Sequence, residues 1–369
     1  MSTQLAINSR DGGTLQHDPG GRDDVTIPKG LAITGLRVRI SGTLDNAEDA
    51  ADDASRNDFG EAKLIKMLRL IRDGENIVEL RGDEAFIAQL PTLSSDGPEL
   101  TQVDPDEASS DFSASILLPL TPWHIFARPE AFRQAHWSKL IRPESEFRLE
   151  AEFEDAAANA NSDPGTGALA DGGDHAYSLS DVDIKVDILY NDIRREALFD
   201  SEGVVRIPRF VPLIESQRSD ETWSAARPDL PVTVNGPAPV LYSILAEFEG
   251  NGPTSTLEDM VNRVELTVED EEIRDIDKAA LVERAVDELP AISRTSPPGA
   301  DAGNLLVINY ADGGKVGSIL RPAEAVSVPE FTLDVDAPPG GGDGHIDHIM
   351  YRLVTVPGAT AGFARSGGS

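Results

Sequence analysis

The segment His345-Ile346-Asp347-His348 is the one best suited to hold a metal ion, because imidazole nitrogens and a carboxylate are the usual protein ligands of zinc. Its spacing argues against a site. Residues three apart on a strand point to opposite faces, so only a turn could aim both rings at one ion. Asp49, Asp52, Asp53 and Asp58 crowd the loop 45–58 and offer hard oxygen ligands to calcium. They lack the fixed spacing of an EF-hand loop, and a solvated acidic insertion is the better account. Glu146, Glu150, Glu152 and Glu154 bring to mind paired catalytic carboxylates. Their alternation with Phe147, Leu149, Ala151 and Phe153 instead places them along the wet face of a strand, not across a cleft.

Other short motifs carry less. Arg81-Gly82-Asp83 spells a cell-adhesion tripeptide, yet a glycine turn before a helix explains it. Gly313-Gly314-Lys315 lacks the rest of a phosphate-binding loop, and neither a G-x-S-x-G elbow nor a dinucleotide fingerprint occurs. The six histidines form no recognisable triad. Trp123, Phe126, Phe132 and Trp137 lie close together in 123–140, as a ligand platform would need, but aromatics of this density more often plug the end of a sandwich or anchor a protein interface. Catalytic, cofactor-binding and metal-ligating residues are therefore all left unassigned.

The elements that carry these residues show a duplication. The block 63–91 recurs at 259–290: Leu64, Ile65, Leu68, Leu70, Ile77 and Leu80 fall on Met260, Val261, Val264, Leu266, Ile273 and Ile276 at a constant shift of 196 residues. In each copy an apolar strand runs into an acidic turn, followed by a second strand and a helix-like segment. Upstream, Ile33, Leu36 and Ile40 fall on Leu241, Ile244 and Phe248 at a shift of 208. Downstream, Glu146 to Glu152 matches Glu330 to Asp336. The shift changes within polar loops, where length is not constrained by packing. The chain is expected to be all-β, a β-sandwich used twice.

Composition agrees. A chain of 369 residues suits two cores. Cysteine is absent, which excludes disulfides, thiolate metal sites and cysteine nucleophiles. The net charge of −33 and the lack of a basic arm argue against direct binding to nucleic acid. Only seven of the 32 basic residues are lysine, and aspartate fills the loops, a balance like that of proteins from saline environments. The opening MSTQLAINSR lacks the pattern of a signal peptide, and no apolar run reaches 18 residues, so synthesis in a cytoplasm and a soluble chain are expected.

In chain order, 1–24 is expected to be a polar arm or short edge strand, 25–195 the first sandwich, 196–358 the second and 359–369 a flexible tail. Strands are expected over 31–44, 112–120, 146–154 and 182–189, and then over a proline-punctuated edge at 204–214. In the second copy, Asp277 is placed to cap a helix over 277–289, and 305–309, 331–335 and 348–356 supply the remaining strands.

The order of these blocks resembles the double jelly-roll major capsid proteins of tailless, membrane-containing icosahedral viruses. IPKGLAITGLRVRISGTL followed by KLIKMLRLIRDGENIVELRG is similar to the first-barrel opening in phage members, and NGPAPVLYSIL with the EDEEI turn looks like the second. The resemblance implies two tandem eight-stranded jelly rolls with short helices in the loops. It further implies a homotrimeric, pseudo-hexameric capsomer that tiles a shell, meets other capsid or vertex proteins, and reaches an internal membrane through its termini. No cofactor and no catalysis are implied, and the location is the virion. Two other readings stay open. A tandem jelly-roll enzyme acting on glycans needs a cleft with convergent carboxylates, and a carbohydrate-binding or adhesin module needs an exposed aromatic platform on a monomer.

Overall fold

The computed structural model describes residues 7–28, 32–47, 55–57, 59–89, 99–120, 146–171, 176–191, 210–234, 240–246, 260–268, 271–277, 305–309, 330–338 and 344–357. Contacts divide the chain into two units, Met1–Gln89 with Pro98–Ile214 and Thr355–Ser369, and Leu90–Gly97 with Glu215–Val354.

The first unit contains β1 (Ile7–Leu15), β2 (Arg22–Ile27), β3 (Ala32–Asn46), β4 (Ser55–Arg56), β5 (Ile65–Arg72), β6 (Glu75–Leu80), β7 (Leu100–Thr101), β8 (Ser109–Pro119), β9 (Phe147–Phe153), β10 (Ala170–Asp171) and β11 (Tyr177–Asn191). One sheet runs in the order β1-β11-β3-β8-β7, and β2-β9-β5-β6 are successive neighbours in the other. Setting aside the two-residue strands, eight strands remain, with the last inserted between the first and the third. That order defines a jelly roll.

Period-two burial drives the sandwich. Leu36, Val38 and Ile40 on β3, Ile116 and Leu118 on β8, and Ile184, Val186 and Ile188 on β11 are buried, while Arg37, Arg39 and Lys185 between them are exposed. On β9, Phe147, Leu149, Ala151 and Phe153 are buried and the residues between them are half-buried. Each fully buried Leu, Ile or Phe contributes about 1.5–3 kcal/mol relative to exposure.

A second barrel repeats the plan with β12 (Phe210–Trp223), β13 (Arg227–Thr233), β14 (Val240–Ala246), β15 (Val261–Val268), β16 (Glu271–Asp277), β17 (Leu305–Asn309), β18 (Glu330–Val335) and β19 (Gly344–Pro357). Its neighbours run β17-β14-β19-β12 and β13-β18-β15-β16. Strand for strand these are the orders β8-β3-β11-β1 and β2-β9-β5-β6. The shift of 196 carries β5 onto β15 residue for residue, and the shift of 208 carries the start of β3 onto the start of β14. Its core gathers Trp223, Leu230, Val232, Val261, Val264, Leu333, Ile346 and Met350.

Three expectations change. Of the two expectations for the polar stretch before residue 25, arm or short edge strand, its described part takes the strand, and a longer one: residues 7–15 form β1, an edge strand paired with β11, and 22–27 form β2, paired with β9. β1 has β11 as its neighbour on one side only and buries Leu15, so it shows little of the alternation that marks a half-buried strand. Gly12 is required there, because a Cβ would stand 2.9 Å from the Val186 carbonyl oxygen. Second, β13 was not foreseen, since Pro228 and Pro231 disguise a strand whose inward residues are Leu230 and Val232. Third, Asp277 ends β16 instead of capping a helix; the remainder of that expected helix, and the part of the expected edge strand before residue 210, lie outside the described residues.

The short helices serve the first barrel. α1 (Gly60–Lys63) and α2 (Gly82–Ala88) flank the β5–β6 pair, and Gln89 follows α2 with its side chain buried. Its amide donates to the Ser115 carbonyl (2.8 Å) and accepts from the Leu117 N–H (2.8 Å). β7 pairs only with Ser113 and Ala114, so Gln89 continues the ladder along the edge of β8 beyond it. Replacing Gln89 by Ala leaves both backbone groups unpaired and is expected to cost about 2 kcal/mol in urea unfolding. Gln89→Glu sets a buried carboxylate against the Ser115 carbonyl oxygen and should cost at least as much.

Candidate functional site

The alternating glutamates lie on the outward side of the β2-β9-β5-β6 sheet, where strand pairing sets Arg69 of β5 opposite Glu79 of β6 and Glu150 of β9. Arg69 bonds Glu79 at 3.0 Å and Glu150 and Glu152 at 3.4 Å each. The row extends through Arg22, 2.7 Å from Glu152, and through Arg148, between Glu150 (3.7 Å) and Asp24 (3.9 Å). Burial works to lower the Arg69 pKa, but its bonds to Glu79 and Glu152 outweigh this and raise it above its ordinary value. Carboxylates spent on one guanidinium across three strands are not poised as a general acid and base. They hold the wet face of the sheet together.

The second barrel departs at this point. The position equivalent to Arg69 is Glu265, opposite Asp275 and Thr332, with Arg263 at 3.5 Å from its carboxylate. At this surface position the two copies differ, while the apolar positions flanking it match.

The tripeptide at 81–83 has a structural role. Asp83 is buried and accepts from the Glu84 N–H (2.9 Å), and Glu84 accepts from the Arg81 N–H (2.7 Å), closing the start of α2. Gly82 is obligatory: a Cβ would lie 1.9 Å from the Ala62 carbonyl oxygen and 2.6 Å from that of Ile65. A buried aspartate cannot serve as an adhesion ligand.

His345 and His348 both lie on β19, so a turn does not bring them together. His348 is fully buried, with Nε2 2.9 Å from the Ser243 hydroxyl, while His345 faces the Asp347 carboxylate at 3.8 Å. Among the described residues no group of three or more His, Asp or Glu is arranged to hold a metal ion. Of the acidic loop, Asp45 is described: the hydroxyls of Ser180 (2.6 Å) and Ser109 (2.8 Å) bond its carboxylate and lower its pKa. Asp49, Asp52, Asp53 and Asp58, the aromatic segment 123–140 and 313–315 lie outside the described residues. His17, which motif spacing did not single out, packs edge-on against Phe153 at 5.2 Å, and burial lowers its pKa.

No family model matches the chain, and neither does any curated protein. Solved structures do. A chain of the Sulfolobus Turreted Icosahedral Virus structure superposes with a TM-score of 0.64 at 13% identity, covering 94% of this chain and 90% of that one. The PBCV-1 virus capsid gives 0.58 at 12% identity over 99% and 98% of the two chains. The major capsid protein of bacteriophage PM2 gives 0.55 at 8% identity over 98% and 100%. At such identities the likeness is one of fold, and it spans both barrels: the chain is a double jelly roll.

Arg69→Met is expected to lower stability by about 1–3 kcal/mol at pH 7, because three carboxylates then face one another without their shared cation. The loss should shrink in high salt, as screening relieves the repulsion; urea melts at low and high salt measure it. Gly82→Ala should cost more, about 3 kcal/mol or above, since only backbone stands in the way of the added methyl.

Proposed function

We propose that this chain is a structural major capsid protein of an icosahedral virus and that its activity is assembly, with no catalytic role. The observation that carries the proposal is the near-complete, two-way coverage of viral capsid chains by both jelly rolls in tandem. Isolated jelly rolls serve many functions; the tandem over the full length narrows them. In this reading three chains form a homotrimer whose six barrels give a pseudo-hexagonal capsomer, and capsomers tile a shell together with other capsid or vertex proteins. The termini face an internal membrane. The net charge of −33 fits a chain that does not touch the genome directly and that works in saline surroundings, where salt screens its self-repulsion. The chain is made in the host cytoplasm and resides in the virion.

Light scattering after size exclusion in high salt tests this. The expected mass is three times the 39.5 kDa of one chain. A monomer at all salt and protein concentrations overturns the capsomer and shifts weight to a binding module or enzyme built on the same fold.

A further inference from the structure

Strands at the rim of a sheet carry backbone groups with no ladder to join, and the two barrels treat theirs differently. β1 breaks its free edge with the bulge at Gly12, where the Gly13 N–H turns to the Asp11 carboxylate at 2.9 Å. β13 breaks its edge with proline. Just beyond β18, the Asp336 N–H donates to the Met260 carbonyl on the β15 side, so the alternate residues Phe331 and Leu333 turn their backbone groups toward Val232 and Leu230 of β13. Pro231, between those two, faces the free side, where it has no N–H to offer. Pro228 adds a second interruption within the irregular stretch from Arg227 to Leu230.

β2 has neither device. The Phe153 N–H donates to the Gly21 carbonyl at 3.1 Å, which sets the ladder so that Asp23, Val25 and Ile27 turn to β9. Arg22, Asp24 and Thr26 turn their N–H and C=O groups the other way. No strand pairs on that side among the described residues, no hydrogen bond reaches those backbone groups, and the three side chains are exposed. The contrast is residue for residue. Ile27 and Val25 pair with Phe147 and Leu149 as Val232 and Leu230 pair with Phe331 and Leu333, so Thr26 holds the place of Pro231.

Charge decides what can join this edge. Asp18, Asp23, Asp24, Glu152 and Asp155 lie along it or at its start and outnumber the cations there, Arg22, Lys66 and Arg148. The whole chain carries −33, so the field favours a basic visitor. A second copy fits poorly. Antiparallel pairing of two β2 strands sets Asp24 against Asp24 in one of the two registers of greatest overlap. In the other, Arg22 meets Pro28, which has no N–H to donate.

We infer that the free edge of β2 is a strand-addition site for an extended, basic segment of a different protein. Such a segment lengthens the β2-β9-β5-β6 sheet through main-chain hydrogen bonds to Arg22, Asp24 and Thr26, and its Lys or Arg side chains meet Asp24 on the outward face. The inference rests on the geometry of this edge and not on the capsid reading.

A labelled peptide alternating Val and Lys, titrated by fluorescence anisotropy against the full chain in low salt, tests it. Hydrogen exchange locates the contact: the fragment over 22–27 should gain about tenfold or more in protection, and fragments from β8 should not change. The same peptide N-methylated on the face that meets β2 keeps its charge and should bind about fivefold more weakly or worse. A counterpart alternating Val and Glu should bind about tenfold more weakly or worse. Thr26→Pro gives β2 the residue that β13 carries and should cost the Lys peptide about fivefold in affinity. Should that variant fail to fold, Asp24→Lys on the exposed face takes its place, with a loss of about tenfold. No binding up to about millimolar peptide, unchanged exchange over 22–27, or equal affinity for the N-methylated or the Glu peptide overturns the inference. So does an oligomer that falls to a monomer in Thr26→Pro, because a second copy then occupies the edge. The mass of the unaltered chain bears on the capsomer alone.

Discussion

Each barrel closes only when its last strand enters between its first and its third. β11 pairs with β1 along one edge and with β3 along the other, and β19 takes the same place beside β12 and β14. The two edges of that strand are satisfied by segments far away in sequence, as the Arg39–Asp187 bond across 148 residues shows. Long-range pairing of this kind is slow to form, because the loop entropy is lost before any contact repays it. Until it forms, β3 presents an open edge and both sheets expose their apolar sides. The helices, the loops at the ends of the barrel and the surface ion pairs all rest on that closure.

Once the barrel is closed, its polar groups serve the backbone and the sheet surface more than any ligand. Gln89 extends a ladder that the short β7 leaves unfinished, the buried Glu61 accepts from the Val103 N–H at 2.9 Å, and Asn46 donates to the Pro105 carbonyl at 3.1 Å. Arg69 gathers the carboxylates that strand alternation lines up on one face. Arginine suits this role better than lysine, because a planar fork reaches carboxylates on both neighbouring strands. A chain so acidic uses its few cations where sheet geometry concentrates negative charge.

The two barrels show what duplication conserves. Apolar residues recur at the same positions through β5–β6 and β15–β16 at a shift of 196, whereas Glu265 stands where the first copy has Arg69. Core positions are held by close packing against many neighbours, so one change is felt by all of them. A surface position is held by a few ion pairs and is free to change. The second core diverged as well: it accommodates His348, Ser243 and Arg352, and Gly344 lies where a Cβ would strike the Trp223 ring at 2.5 Å.

The sequence by itself determined the all-β class, the duplication and most inward residues, because period-two alternation is a local signal that survives wherever one face of a strand is wet. The alternation of β9, the apolar face of β11 and the β5–β6 turn were all legible on that ground, and so was the structural role of the glutamates. The tertiary structure decided between the arm and the edge strand that the polar stretch at 7–15 left open, since a segment with a neighbour on one side takes its conformation from β11 and not from its own pattern. It alone decided β13, whose prolines hide a strand with two inward residues. The meaning of single polar residues was likewise tertiary. Gln89, Arg69 and His348 look like ordinary members of their segments until the chain brings Ser115, Glu150 and Ser243 beside them, for the partner that defines each is set by the closure of the sheet and leaves no trace in local spacing.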